Sequence, residues 1–214
     1  MALATAILSP SLCAAADWPQ FRGPDRDGVS AETGLLDAWD ATGPPELWRV
    51  PIGEGFSSIT AVGDRLYTMD AAGDEEYVVA FDAGSGEEVW RTALGPLFEN
   101  DYGNGPRSTP TWADGELFAV SSLGRVAALA ADDGTVLWEH RVQEEFGSQL
   151  PNWAFSSSPL VTGDLVVVEV GGSDDRAIAA FDRESGALRW TGGAGDISYS
   201  SPILVDLDGL ERLV

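Results

Sequence analysis

Short apolar runs recur along this chain, separated by breaks that carry Gly and Asp. Four segments open with small polar residues and turn apolar: Ser57–Val62, Ser108–Ala113, Ser157–Thr162 and Ser200–Val205. Each is followed by a tight-turn pair, Gly63-Asp64, Asp114-Gly115, Gly163-Asp164 or Asp208-Gly209, where Gly supplies positive φ. A second run then begins: Arg65–Met69, Glu116–Ser121 or Leu165–Val170. A third follows at Tyr77–Asp82, Arg125–Ala130 and Ala177–Asp182. Val, Ile, Leu and Ala dominate these middle runs without a polar face, the pattern of strands covered on both sides. A further Gly turn leads to a fourth strand.

The fourth strand carries the repeat signature. Ala80-Phe81-Asp82 through Gly86 leads to Trp90, Ala128-Leu129-Ala130 through Gly134 to Trp138, and Ala180-Phe181-Asp182 through Gly186 to Trp190. Gly43-Pro44-Pro45-Glu46-Leu47-Trp48 is a partial copy. The Trp-to-Trp intervals are 42, 48 and 52 residues, the period of a four-stranded propeller blade. The second copy has Ala130 where the others have Asp, so its turn is expected to lean on Asp132. A blade cannot cover its own faces and must stack on its neighbours. An indole has a large apolar area and one N–H donor, so Trp48, Trp90, Trp138 and Trp190 are expected to wedge between blades while each N–H meets a backbone carbonyl.

These spacings predict an all-β propeller sector. The expected units are an outer closing strand at 46–51, blades at 57–92, 108–141 and 157–192, and a half blade at 200–214, preceded by a lead-in segment at 17–45. Trp48 has no first three strands before it, and Leu213-Val214 falls inside a second strand. The expectation is a piece of a longer chain of about 350–420 residues at this period.

The pattern A-x-D-x-x-x-G-x-x-x-W is similar to the tryptophan-docking motif of the pyrroloquinoline-quinone (PQQ) propeller superfamily. Asp17-Trp18-Pro19-Gln20-Phe21-Arg22-Gly23-Pro24, Gly105-Pro106-Arg107-Ser108-Thr109-Pro110 and Phe155-Ser156-Ser157-Ser158-Pro159 also resemble secreted bacterial PQQ-like repeat proteins. The resemblance covers nearly all of residues 17–214. It implies a ring that is eight-bladed and monomeric when complete. One branch of the superfamily is the quinoprotein alcohol dehydrogenases, which use PQQ and Ca²⁺. Another is non-catalytic and includes the scaffold lipoprotein of outer-membrane β-barrel assembly.

Charge narrows the partners. There are 35 acidic residues against 12 basic ones, all of them Arg, for a net charge of −23. Such a surface repels phosphate backbones, which argues against nucleic acid. Residues 2–16 are uncharged and mostly small or apolar, and Ala14-Ala15-Ala16 fits a secretory cleavage site, so 1–16 is expected to be a signal peptide, although it lacks a basic start. No later stretch reaches the ~18 apolar residues of a membrane span. Cys13 is the one cysteine; cleavage after Ala16 leaves a mature segment without disulfides or thiolate sites.

Candidate chemistry falls where the innermost strands begin, because those ends face the central channel. Arg107, Ser108, Asn152, Trp153 and Tyr199 are the candidate cofactor-binding residues, with Ser157 and Ser200 beside them. Arg107 offers a forked donor to a carboxylate-rich ligand, and Trp153 a stacking face. Asp101, Tyr102 and Asn104, in the long connection Leu97–Asn104, are expected to join Arg107 at the channel mouth. No catalytic residue or metal ligand is assigned. His140 is the one histidine, which argues against zinc sites and triads. Asp206-Leu207-Asp208-Gly209 lacks the distal Glu of a calcium loop and reads as a hairpin turn. The acidic pairs Glu75-Glu76, Glu87-Glu88 and Glu144-Glu145 are expected to be solvated. The leading expectation is an exported, periplasmic or extracellular, non-catalytic scaffold or binding module that needs no cofactor and works with protein or cell-envelope partners. The alternatives are a periplasmic PQQ/Ca²⁺-dependent alcohol dehydrogenase and a carbohydrate- or polymer-binding propeller.

Overall fold

The computed structural model describes residues 16–172 and 174–214. All of the expected signal segment except Ala16 therefore lies outside the described residues, as does Cys13. Three four-stranded antiparallel sheets follow one another, each a simple meander. The first contains β1 (Thr60–Val62), β2 (Arg65–Ala72), β3 (Glu75–Asp82) and β4 (Glu88–Pro96). The second contains β5 (Thr111–Ala113), β6 (Glu116–Val120), β7 (Arg125–Ala130) and β8 (Val136–Arg141). A short helix, α1 (Val142–Phe146), which the strand pattern does not predict, closes that unit. The third contains β9 (Leu160–Thr162), β10 (Leu165–Gly172), β11 (Arg176–Asp182) and β12 (Leu188–Gly192). A hairpin of β13 (Leu204–Leu207) and β14 (Leu210–Leu213) ends the series. Asp206 caps the Gly209 N–H at 2.8 Å in its turn.

The apolar middle strands are covered on both faces because sheets stack. In β6, Leu117 and Ala119 face the first sheet, beside Tyr67, Met69 and Val78. Phe118 and Val120 face the other way, toward Val166, Val168 and Phe181 of the third sheet. This is the two-residue alternation of a strand with a neighbour on each side. In β10, Val167 turns instead toward Leu204 and Leu213 of the terminal hairpin.

Three of the four signature tryptophans reach the following sheet, whereas Trp190 is 39% exposed and its N–H meets no carbonyl among the described residues. Trp48 Nε1 donates to the Ala83 carbonyl at 2.9 Å, Trp90 to Ala131 at 3.0 Å and Trp138 to Arg183 at 2.8 Å. Those carbonyls occupy equivalent places in the β3–β4, β7–β8 and β11–β12 turns. A Cβ placed on Gly86, Gly134 or Gly186 would come within 2.6, 2.5 and 2.7 Å of the same three indoles. Glycine at that turn position therefore serves two needs, a positive φ and a flat seat for the ring. His140 belongs to the same contact: it stacks on Phe181 at 4.3 Å, and its Nε2 lies 2.7 Å from the Gly186 carbonyl oxygen.

The structure moves several boundaries. The Ser-rich openings precede the first strands instead of forming them. They run extended and join units near the axis. The Ser58 N–H donates to Thr109 Oγ1 at 3.0 Å, the Thr109 N–H to Ser158 Oγ at 2.9 Å, and the Ser158 N–H to Ser201 Oγ at 2.9 Å. Small hydroxyl residues recur there because each accepts a backbone donor from the preceding unit. Residues 46–51 form no ladder with any described strand, so Trp48 is placed by its turn contact alone. The second blade's turn leans on Asp133, which caps the Thr135 N–H at 2.9 Å, and not on Asp132. Its backbone bonds, Ala130 N–H to Thr135 O and Gly134 N–H to Ala130 O, match those around Asp82 and Asp182. The aspartate is thus a side-chain reinforcement of a turn that the backbone already makes.

Candidate functional site

The lead-in segment lies across the inner edge of the sheets. Trp18 pairs with Ala61 ahead of the β1–β2 turn, and Pro19 O accepts the Trp112 N–H of β5 at 2.8 Å. Arg26, 6% exposed, donates to Ser158 O at 3.0 Å and to Pro159 O at 2.8 Å, just before β9. One short segment thereby contacts the innermost part of three successive units. Burial pulls the Arg26 guanidinium down to about 10, so it is charged at neutral pH.

Two adjoining clefts open there. One, of about 440 Å³, is lined by Phe56, Tyr102, Arg107, Trp153, Ser156 and Tyr199. The other, of about 530 Å³, shares Phe56, Arg107, Ser156 and Tyr199 and adds Arg22 and Arg26 together with serines before β9 and β13. Arg107 is held by the carbonyls of Gly105 and, at 2.8 Å, Gly103. Its guanidinium lies over Phe98 at 4.7 Å and Phe56 at 5.2 Å. Burial lowers its pKa, and the charge of Glu76 partly opposes that. Trp153 and Tyr199 meet at 5.3 Å, and Tyr199 holds a φ of 71°, an uncommon conformation for a bulky side chain.

Of the expected site residues, Arg107, Trp153 and Tyr199 therefore come together, joined by Tyr102 and Ser200. Ser108 does not belong. It is fully buried, and its hydroxyl donates to Val120 O at 2.6 Å. In this extended segment Arg107 faces the cleft while Ser108 points inward to Val120. Asn152 lines a neighbouring hollow beside Asp196 and Ile197, which shares Tyr199 alone with the clefts at Arg107. Asp101 and Asn104 face a third, beside Glu54. Ser157 is occupied by Glu169 Oε2 at 2.6 Å and Ser200 O at 2.7 Å. The residues that the sequence reading passes over are Arg22, Arg26 and Phe56. The available signal was their position in Gly-containing stretches, Arg22-Gly23-Pro24-Asp25-Arg26-Asp27-Gly28 and Gly53-Glu54-Gly55-Phe56, outside the repeated strands.

Glu76 corrects the expectation that its pair is solvated: it is 0% exposed. Its carboxylate accepts the Ser122 N–H at 2.9 Å and the Phe98 N–H at 3.3 Å, tying the first sheet to the second. Burial raises its pKa, while those donors and Arg107 lower it. A raised folded pKa means that the ionised carboxylate costs stability above that pKa, and the cost disappears below the ordinary value of 4.5. As pH falls from neutral toward 4.5, the wild type should gain stability relative to Glu76→Gln. Urea unfolding of both proteins across that range checks this, and a constant difference would contradict it.

The sequence matches the family described as "Outer membrane protein assembly factor BamB" over residues 74–206, more than half of the chain. The BamB of Burkholderia pseudomallei is 30% identical over 170 residues, covering 78% of this chain and 38% of its own. That of Shewanella oneidensis is 33% identical over 165 residues, covering 72% and 38%. The chain thus spans well under half the length of these relatives. The quinohemoprotein alcohol dehydrogenase from Comamonas testosteroni aligns with a TM-score of 0.55 at 19% identity, over 83% of this chain and 28% of that enzyme, a likeness of fold alone. The meandering sheets, the tryptophans seated on successive turns and the family match agree: the chain belongs to the BamB family of PQQ-like β-propellers.

Proposed function

We propose that this protein is an exported, non-catalytic propeller scaffold that binds protein partners in outer-membrane protein assembly. The observation that carries this reading is the family match across the blades, residues 74–206. In this reading residues 1–16 are the export signal, 17–45 the lead-in, and 46–214 part of a monomeric ring that is eight-bladed when complete. The geometry supports it: sheets joined by buried and half-buried indoles form a rigid frame, and loops on that frame present Phe56, Tyr102 and Trp153 at 57, 81 and 53% exposure. Exposed aromatics on rigid loops are the usual anchors of protein interfaces.

The dehydrogenase reading requires PQQ and Ca²⁺. Calcium takes carboxylate, amide and carbonyl oxygens. The clefts at Arg107 are lined by guanidinium, hydroxyl and aromatic groups with no acidic side chain, so a calcium ion does not fit there. The test takes the full-length protein. A photo-crosslinker at Tyr102 is expected to give adducts with outer-membrane assembly proteins in cells, and fractionation is expected to place the protein in the periplasm. Dye-linked alcohol oxidation on addition of PQQ and Ca²⁺, without such adducts, would overturn the scaffold reading.

A further inference from the structure

Eight of the 12 arginines have a carboxylate within 4.0 Å. Among the described residues Arg22, Arg26, Arg107 and Arg212 have none, and the first three line the same cleft of about 530 Å³. In a chain with 35 acids, uncompensated positive charge at one place is the exception. Glu76 acts on Arg107 only from beyond ion-pair range. The three guanidiniums are held instead mainly by neutral carbonyls: Arg22 by Asp27 O at 2.8 Å, Arg26 by Ser158 and Pro159, and Arg107 by Gly103 and Gly105. Carbonyl acceptors fix orientation and leave the charge unneutralised. A second, independent observation lies in the same cleft. Arg26 Nε and Ser156 Oγ are buried without a hydrogen-bond partner among the described residues, and both side chains line it. Buried donors are ordinarily satisfied, and an orphan calls for an explanation. The adjoining cleft supplies the opposite chemistry, with Phe56, Trp153 and Tyr199 presenting ring faces beside Arg107.

We propose that these joined clefts bind a carboxylate carried on an apolar or aromatic body, with the carboxylate among Arg22, Arg26, Arg107 and Ser156 and the body against Phe56, Trp153 and Tyr199. Guanidinium forks suit a carboxylate geometrically. The long-range field of a protein of charge −23 disfavours polyanions, whereas a single carboxylate feels mainly the local arginines. This chemistry occurs in a free aromatic acid and in the terminal residue of a polypeptide. The inference stands apart from the scaffold reading, since either a scaffold or an enzyme can hold such a group.

The test titrates the full-length protein with benzoate, N-acetylphenylalanine and its amide, and a short peptide ending in Phe with a free or amidated terminus, read by calorimetry. The acids are expected to bind and the amides not, with affinity falling as salt rises. Arg107→Gln and Arg22→Gln should each weaken binding about tenfold. Arg22 is exposed with one backbone hydrogen bond, so that variant is expected to keep its fold even if Arg107→Gln does not. Tighter binding of the free-ended peptide than of N-acetylphenylalanine assigns the site to a polypeptide terminus, and equal or weaker binding to a free acid. Amides that bind as well as acids, no binding by any probe, or an unchanged affinity in Arg22→Gln would each overturn the proposal.

Discussion

Trp138→Ala is expected to destabilise the protein by about 3–5 kcal/mol, the range for truncating a buried large aromatic. Trp138 is 9% exposed and sits where the second sheet meets the third. Its ring lies 5.9 Å from that of Phe118 and 6.1 Å from that of Phe181, and its N–H satisfies Arg183 O. Truncation opens a cavity between two sheets and unpairs a carbonyl in the turn that seats the ring. The contact is rigid on both sides, backbone at Gly186 and sheet at Phe181, so the gap has little means of closing. Leu137→Ala is the control, because that neighbouring side chain is 47% exposed and should cost under about 1 kcal/mol. Equilibrium urea unfolding of the two variants gives the comparison. Equal losses would show that the indole does not hold the sheets together.

Arg91→Met carries the second large effect, about 3 kcal/mol of lost stability. Asp70, in β2, is 1% exposed, and Arg91 Nη1 lies 2.6 Å from its Oδ1. Without the guanidinium, the buried carboxylate keeps only the Gly53 N–H, at 2.8 Å, among its hydrogen bonds. The loss is mostly the penalty of an unpaired buried charge and not the intrinsic strength of the pair. The double variant Asp70→Leu/Arg91→Met should therefore be more stable than Arg91→Met alone. The same unfolding measurement across the cycle decides this, and strict additivity would refute it.

The fold was legible because its strongest determinant is periodic. Trp, Gly and the turn Asp recur in one order, and a position used in every unit reports architecture. The strand starts were misread because Ser and Thr before β1, β5 and β9 form hydrogen bonds between units, a non-local role that local propensity does not encode. Glu76 was misread for a related reason. A charged residue at a strand start is normally solvated, and only the stacked second sheet, with Ser122 above it, makes that place interior. At the cleft, Arg107, Trp153 and Tyr199 were readable from their place before inner strands. Arg26 was not, because its partners Ser158 and Pro159 lie over 130 residues away in sequence.

The indole-on-glycine contact runs in one direction only. Each unit offers a ring on its trailing side and a turn on its leading side, so neighbours associate head to tail and never face to face. A coupling of that kind is heterologous, and its repetition closes only when the rotation per step divides a full circle. Whole units can then be duplicated, deleted or permuted while every junction keeps the same chemistry. What such events change is the curvature of the ring and the width of its axis, and with them the ligand that the arginine-lined cleft can admit.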